Sequence, residues 1–231
     1  MKSVLIAAAL FFGLAANLSA QEDWANLGRY CAENERLRQS GRRPDIVFLG
    51  DSITEGWINK QPEFFRENRV NRGIGGQTTP QMLLRFRADV VDLHPKLVQI
   101  MAGTNDIAGN TGPMTDQMTE ENFKSMVDLA RINGIKVIIA AIPPAANFPW
   151  RPGLETNQHI QRFNRWLKAF AKAKRLVYAD YWSALQDGQG GLRAEWAVDG
   201  VHPNELGYQA MAPVAEAAMR SAGLGGPKTA R

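Results

Sequence analysis

A serine hydroxyl, an imidazole and a carboxylate form a minimal set that can cleave an ester through a covalent acyl group. This chain holds one of each in motifs near its two ends. Ser52 closes the run Ile46-Val47-Phe48-Leu49-Gly50-Asp51-Ser52, where an apolar stretch stops at a small polar turn. Asp199 and His202 lie in Asp199-Gly200-Val201-His202-Pro203, a spacing that brings both side chains to one side of a turn. A carboxylate there would fix the imidazole tautomer and stabilise the imidazolium formed when Ser52 attacks.

The sequence has three histidines, and the other two are poorly placed for a base. His94 precedes Pro95 and an apolar run, at the start of a strand, and His159 falls inside a helical pattern between Asn157 and Arg162. Attack on an ester also creates an oxyanion that needs preorganised donors. The Ser52 amide is one. The loop Gly73-Ile74-Gly75-Gly76-Gln77-Thr78 offers Gly76, whose missing Cβ admits a substrate oxygen to the backbone, and Gly103-Thr104-Asn105-Asp106 offers the Asn105 amide. Each piece alone has a plainer reading. Asp51-Ser52 and Asn105-Asp106 fit helix caps, Gly75-Gly76 a tight turn, and Asp199 a turn cap. The glycine loop lacks both the dinucleotide spacing and the P-loop lysine, and Asp199 with His202 lacks a third ligand for a metal. Neither cofactor nor metal is expected.

These motifs must be positioned by elements that the hydrophobic pattern predicts. Asp45 to Leu49, Lys96 to Met101, Lys136 to Ile142 and Arg175 to Tyr178 read as buried strands, and a weaker run at Arg69 to Arg72 would be a fifth. Trp24 to Gln39, Thr79 to Asp92, Thr119 to Asn133, Thr156 to Lys174 and Glu205 to Ser221 read as helices. The alternation predicts an α/β fold with a parallel five-stranded sheet covered on both faces. Ligands of such sheets collect at the carboxyl ends of the strands, where Ser52, Gly76 and Asn105 all fall.

The first twenty residues read as a secretory signal: Lys2, an apolar stretch to Leu18, then Ser19-Ala20 before Glu22-Asp23. Leu18 stands where a small residue is preferred, and cleavage after Ala20 is expected. Residues 21–231 then form a single domain, periplasmic or secreted, with no membrane span. The formal charge of +4, or +3 without Lys2, is spread along the chain and does not point to nucleic acid. Cys31 is the sole cysteine, so no disulfide can form within the chain, and its neighbours suggest a partly buried helix position. Trp57 lies just beyond Ser52, Trp196 three residues before Asp199, and Trp150 in a proline-rich loop after the fourth strand; each could line a pocket or pack inward, while Trp166 and Trp182 read as core.

Taken in order, Gly50-Asp51-Ser52, Gly76 in its loop, Gly103-Thr104-Asn105-Asp106 and Asp199-to-His202 resemble the blocks of the SGNH, or GDSL, hydrolase family over roughly residues 44–220. The first block reads Gly-Asp-Ser-Ile where the family name implies Leu. Asn71-Arg72-Gly73 and Ile107 make the chain similar to bacterial relatives of the platelet-activating-factor acetylhydrolase catalytic subunits. The resemblance implies a three-layer α/β/α flavodoxin-like sandwich, a Ser-His-Asp triad, no metal, and hydrolysis of esters or thioesters. It also implies short acyl groups, acetyl above all, on small-molecule or carbohydrate substrates. A periplasmic thioesterase or lysophospholipase on the same triad, and a carbohydrate-binding module without turnover, stay open. An α/β-hydrolase is disfavoured because Thr54 replaces the second glycine of Gly-x-Ser-x-Gly.

Overall fold

The computed structural model describes residues 23–66 and 68–225. The expected signal segment, residues 1–20, lies outside them. Five strands, β1 (Ile46–Gly50), β2 (Arg69–Gly73), β3 (Leu97–Met101), β4 (Lys136–Ala140) and β5 (Val177–Ala179), form one sheet in the order β2-β1-β3-β4-β5. Every pairing is parallel. Eight α-helices accompany it among the described residues: α1 (Cys31–Gln39), α2 (Ser52–Lys60), α3 (Thr79–Asp89), α4 (Thr104–Ala108), α5 (Asp116–Ile132), α6 (Thr156–Ala173), α7 (Tyr181–Leu185) and α8 (Glu205–Ser221).

The three central strands β1, β3 and β4 are mainly apolar runs because successive side chains serve opposite faces and both faces are buried, whereas the edge strand β2 reads Arg69-Val70-Asn71-Arg72-Gly73. Val47, Leu49, Val98, Ile100, Val137 and Ile139 point to one side, where Met82 and Phe86 of α3, Phe123 and Val127 of α5, and Ile160 and Leu167 of α6 complete a core. Ile46, Phe48, Leu97 and Ile138 point to the other, against Ile53 and Trp57 of α2, Tyr181 of α7, and Tyr208 and Met211 of α8. This is the expected three-layer α/β/α sandwich.

Register sets the functional edge. Gly50 pairs with Gly73 on one side and Met101 on the other, so the carboxyl ends of β1, β2 and β3 finish level. Two glycines make this possible. A Cβ on Gly50 would lie 2.7 Å from the Met101 carbonyl oxygen, and one on Gly73 would lie 2.0 Å from the Glu55 backbone nitrogen. The first turn of α2 therefore presses directly on the end of β2.

Several expectations change in detail. Residues 24–30 form turns rather than the first half of α1, since Asp23 caps the Leu27 and Gly28 amides at 2.8 Å and Asn26 takes φ 52°. Helix α5 starts one turn early, at Asp116, because the Thr115 hydroxyl accepts from the Met118 amide at 3.2 Å. Cys31, expected to be partly buried, is exposed at the start of α1. Trp57 does not reach a pocket. It is fully buried, stacked on Phe64 at 4.5 Å, and its indole donates to Gln61. Among the described residues no helix is long and apolar enough to cross a membrane.

Candidate active site

Asp51 and Ser52 sit where β1 turns into α2. Asp51 is the N-cap, its Oδ1 accepting from the Ile53 amide at 3.0 Å, and Ser52 is the first helical residue. That position leaves the Ser52 amide without an intrahelical acceptor. At the other end of the chain, Asp199 closes its own turn. Its Oδ1 accepts from the amides of Val201 at 3.0 Å and His202 at 2.9 Å, and Gly200 takes φ +84° to let the backbone turn. The turn is further tied by the Val198 amide donating to the His202 carbonyl at 2.8 Å.

The two motifs meet. His202 Nδ1 lies 2.8 Å from Asp199 Oδ2, and His202 Nε2 lies 2.9 Å from Ser52 Oγ. A carboxylate only accepts, so the imidazole proton sits on Nδ1 and Nε2 is left to accept from the serine hydroxyl. Burial alone would raise the Asp199 carboxyl. The amide and ring of His202 and the amide of Val201 outweigh it, holding the group below its usual range.

Gly76 and Asn105 also come to this edge. The glycine loop follows β2, and a Cβ on Gly75 would lie 3.8 Å from Ser52 Cβ. The Gly75 amide is committed to Glu55 Oε2 at 2.8 Å, whereas that of Gly76 makes no hydrogen bond among the described residues. Gly76 faces open space, so what requires glycine in the protein itself is φ +74°. Asn105, 3 % exposed, follows the Gly103 turn into α4 and donates from Nδ2 to the Gln77 carbonyl at 3.0 Å. Its remaining contact from Nδ2, to Asp51 Oδ2, is a long 3.5 Å. His94 lies at the amino edge of β3, and His159 pairs with Asp116 on the surface. Among the described residues no three His, Cys, Asp or Glu side chains converge as a metal site.

Sequence reasoning missed the groups that hold this edge from behind. Arg85 is fully buried. Its guanidinium donates to the Gly50 carbonyl at 3.0 Å and to Gln77 Oε1, and pairs with Asp89 at 3.0 Å. One cation thus links the strand leading to Ser52 with the glycine loop. Asn34 of α1 bonds Asp89 and accepts from the equally buried Arg72. The Arg85–Asp89 spacing of one helical turn was the available signal, and it does not distinguish a buried pair from a solvated one. Asp106 accepts from the amide and hydroxyl of Thr79, fastening the start of α3 to α4.

Asp51 carries a cost of its position. It is 1 % exposed, and burial, with Asp106 adding to it against the Ile53 amide and His202, pushes its carboxyl up to about 6. Because the folded value exceeds the unfolded one of 3.8, its contribution is present below 3.8 and is lost as pH rises through about 6. Asparagine in its place would keep the cap oxygen and never ionise. The stability of Asp51→Asn relative to the parent is therefore expected to improve by about 2 kcal/mol between about pH 4 and pH 7, checked by urea denaturation at both. A difference that stays flat across that range would show that the buried carboxyl does not titrate there.

A groove of about 590 Å³ runs along the unpaired edge of β2 between α1 and α2 and has Ser52 in its lining, while His202, Gly76 and Asn105 lie outside it. Its walls include Arg29, Glu33, Glu55, Asn59 and Asn68. On the far side of His202 stands Trp150, 42 % exposed, its ring centroid 6.1 Å from the imidazole.

The model of GDSL-like lipases and acylhydrolases matches residues 48–210. The chain belongs to that family. The activity class that comes with membership is carboxylic-ester hydrolysis. A GDSL-like lipase from Bacteroides thetaiotaomicron is 42 % identical in sequence, with a TM-score of 0.80 over 86 % of this chain and 98 % of that one. Esterase TesA of Pseudomonas aeruginosa is 28 % identical over 180 residues, covering 72 % of this chain and 83 % of TesA. A Bacillus subtilis lipoprotein, YqeF, is 37 % identical over 118 residues, 43 % of this chain and 49 % of YqeF. The chain thus spans about half of that relative's length.

Proposed function

We propose that this ester hydrolase is a periplasmic or secreted serine esterase that removes short acyl groups, acetyl foremost, from O-acylated carbohydrates. The observation that carries the reading is the relay Ser52 Oγ to His202 Nε2 at 2.9 Å and His202 Nδ1 to Asp199 at 2.8 Å. His202 takes the Ser52 proton as Oγ bonds to the acyl carbon, and the amides of Ser52 and Gly76 with Asn105 Nδ2 receive the oxyanion. Collapse breaks the bond to the alcohol, which leaves with the proton from His202. Water then gives a proton to His202 and attacks the acyl-enzyme, and Ser52 regains its proton as the acid departs.

The groove supports a polar leaving group. Its walls set Arg29, Glu55 and Asn59 among Leu37, Ile58 and Phe65, and the polar members offer donors and acceptors to the hydroxyls of a carbohydrate leaving group. Export is supported by the apolar leader that ends at Ala20 and by the likeness to a lipoprotein. The test is a panel. p-Nitrophenyl acetate and butyrate are expected to be cleaved at least about tenfold faster than palmitate, and acetylated oligosaccharides faster than acyl-CoA or lysophospholipid. Preference for palmitate or lysophospholipid would overturn the short-acyl assignment.

A further inference from the structure

The loop after β4 and the turn after α4 touch the oxyanion donor through an ordered chain of hydrogen bonds. The Trp150 indole Nε1 donates to Asn110 Oδ1 at 3.1 Å, and Asn110 Nδ2 donates to Asn105 Oδ1 at 2.7 Å. Asn105 Nδ2 donates in turn to the Gln77 carbonyl at 3.0 Å. Both ends are chemically unambiguous: an indole N–H can only donate and a backbone carbonyl can only accept. Between them each amide has one permitted orientation. Asn110 must present its NH2 to Asn105, and Asn105 must present its oxygen to Asn110 and its NH2 toward the glycine loop.

The chain is anchored at several points. Trp150 stacks on buried Phe148 with centroids 5.1 Å apart. The Asn110 amide donates to the Asn105 carbonyl at 3.0 Å, and the neighbouring Thr111 hydroxyl meets that of Thr78 at 2.9 Å. An asparagine amide with its ends exchanged would aim an oxygen lone pair at a developing negative charge, so its orientation matters as much as its position.

We infer that Asn110, itself oriented by the Trp150 indole, is a positioning residue that holds the Asn105 amide with its NH2 toward the reacting acyl oxygen. The inference rests on the serine-esterase reading above. Because Trp150 also stands beside the His202 ring, one side chain braces the oxyanion side of the site and walls the base.

The experiment measures kcat and KM for p-nitrophenyl acetate in the parent, Asn110→Ala, Trp150→Phe, Asn105→Ala and the Asn105→Ala/Asn110→Ala double variant. Asn110→Ala is expected to lower kcat by about 10–100-fold with KM within about twofold, since it loosens a donor whose outright removal costs on the order of 10²–10³. Once Asn105 is alanine, removing Asn110 is expected to change kcat by less than about twofold, because its effect passes through Asn105. Trp150→Phe keeps the stacked ring and deletes only the N–H, so kcat is expected to fall in the same direction by a smaller factor.

Parent-level kcat in Asn110→Ala, or losses that multiply in the double variant, would overturn the inference. Should Asn110→Ala lose its circular dichroism signature, Trp150→Phe decides, and parent-level kcat there would overturn it. A parent protein that turns over without dependence on Ser52 refutes the esterase mechanism instead, so the two failures are told apart.

Discussion

Ser52→Ala is expected to lower kcat for p-nitrophenyl acetate by on the order of 10⁴-fold or more and to leave the fold in place. Both halves follow from where the side chain sits. Its hydroxyl makes one hydrogen bond, to His202. The helix cap belongs to Asp51, which the substitution does not touch. Alanine at the first helical position has no intrinsic penalty, so the melting temperature should stay within a few degrees of the parent's, roughly a change of ±0.5 kcal/mol. Chemistry, by contrast, loses the nucleophile of the proposed mechanism. What would survive is the slow attack of water assisted by His202 and the oxyanion donors. Kinetics and circular dichroism on the same preparations check the pair of outcomes, and labelling by a fluorophosphonate probe should vanish with turnover. Turnover within about tenfold of the parent would place the nucleophile elsewhere.

The parts of this molecule that were legible in its sequence share a cause: they are dictated locally. Four β-branched or aliphatic runs had to be buried strands, and these and the weaker run at Arg69 were each found within two residues of the expected start. The three motifs after β1, β2 and β3 share an edge because parallel strands finish level, which the Gly50–Gly73 and Gly50–Met101 pairings realise. What could not be read is decided by partners distant in sequence. Trp57 lies five residues past Ser52, and a helical turn carries it away from the edge into a cluster with Phe64, Phe65 and Tyr208. Arg72 and Arg85 are charged residues that composition assigns to the surface, yet both are fully buried. Their burial is tolerable only because Asn34, Asp89, Gln77 and the Gly50 carbonyl satisfy them together. Asn110 and Trp150 carried no motif at all, since their relation to Asn105 exists only after two loops have met.

Asp199→Asn is expected to lower kcat by about 10³–10⁴-fold while KM stays within a few-fold. The reasoning separates the two oxygens of the carboxylate. Oδ1 accepts the amides of Val201 and His202, and an asparagine oxygen can do the same, so the Asp199–His202 turn survives. Oδ2 faces the imidazole Nδ1, and there asparagine places an NH2 against a ring nitrogen that carries a proton. Two donors cannot bond, so the ring is driven to the tautomer with its proton on Nε2. That nitrogen then faces the Ser52 hydroxyl with nothing to accept with, and the base is lost although every atom stays near its place. Water softens the conflict, because the Asp199 side chain is 40 % exposed, which is why the expected loss has a range. Stability supplies an independent check with a defined sign. The folded carboxyl is held below its unfolded value of 3.8, so its contribution is present above 3.8 and is lost as pH falls through the lower folded value. Asparagine has no such proton to take up. The parent's melting temperature should therefore drop relative to Asp199→Asn at the most acidic pH, with the two running parallel from mildly acidic to neutral solution. A kcat loss under about tenfold would reduce Asp199 to a turn cap and leave His202 to be oriented by the backbone alone.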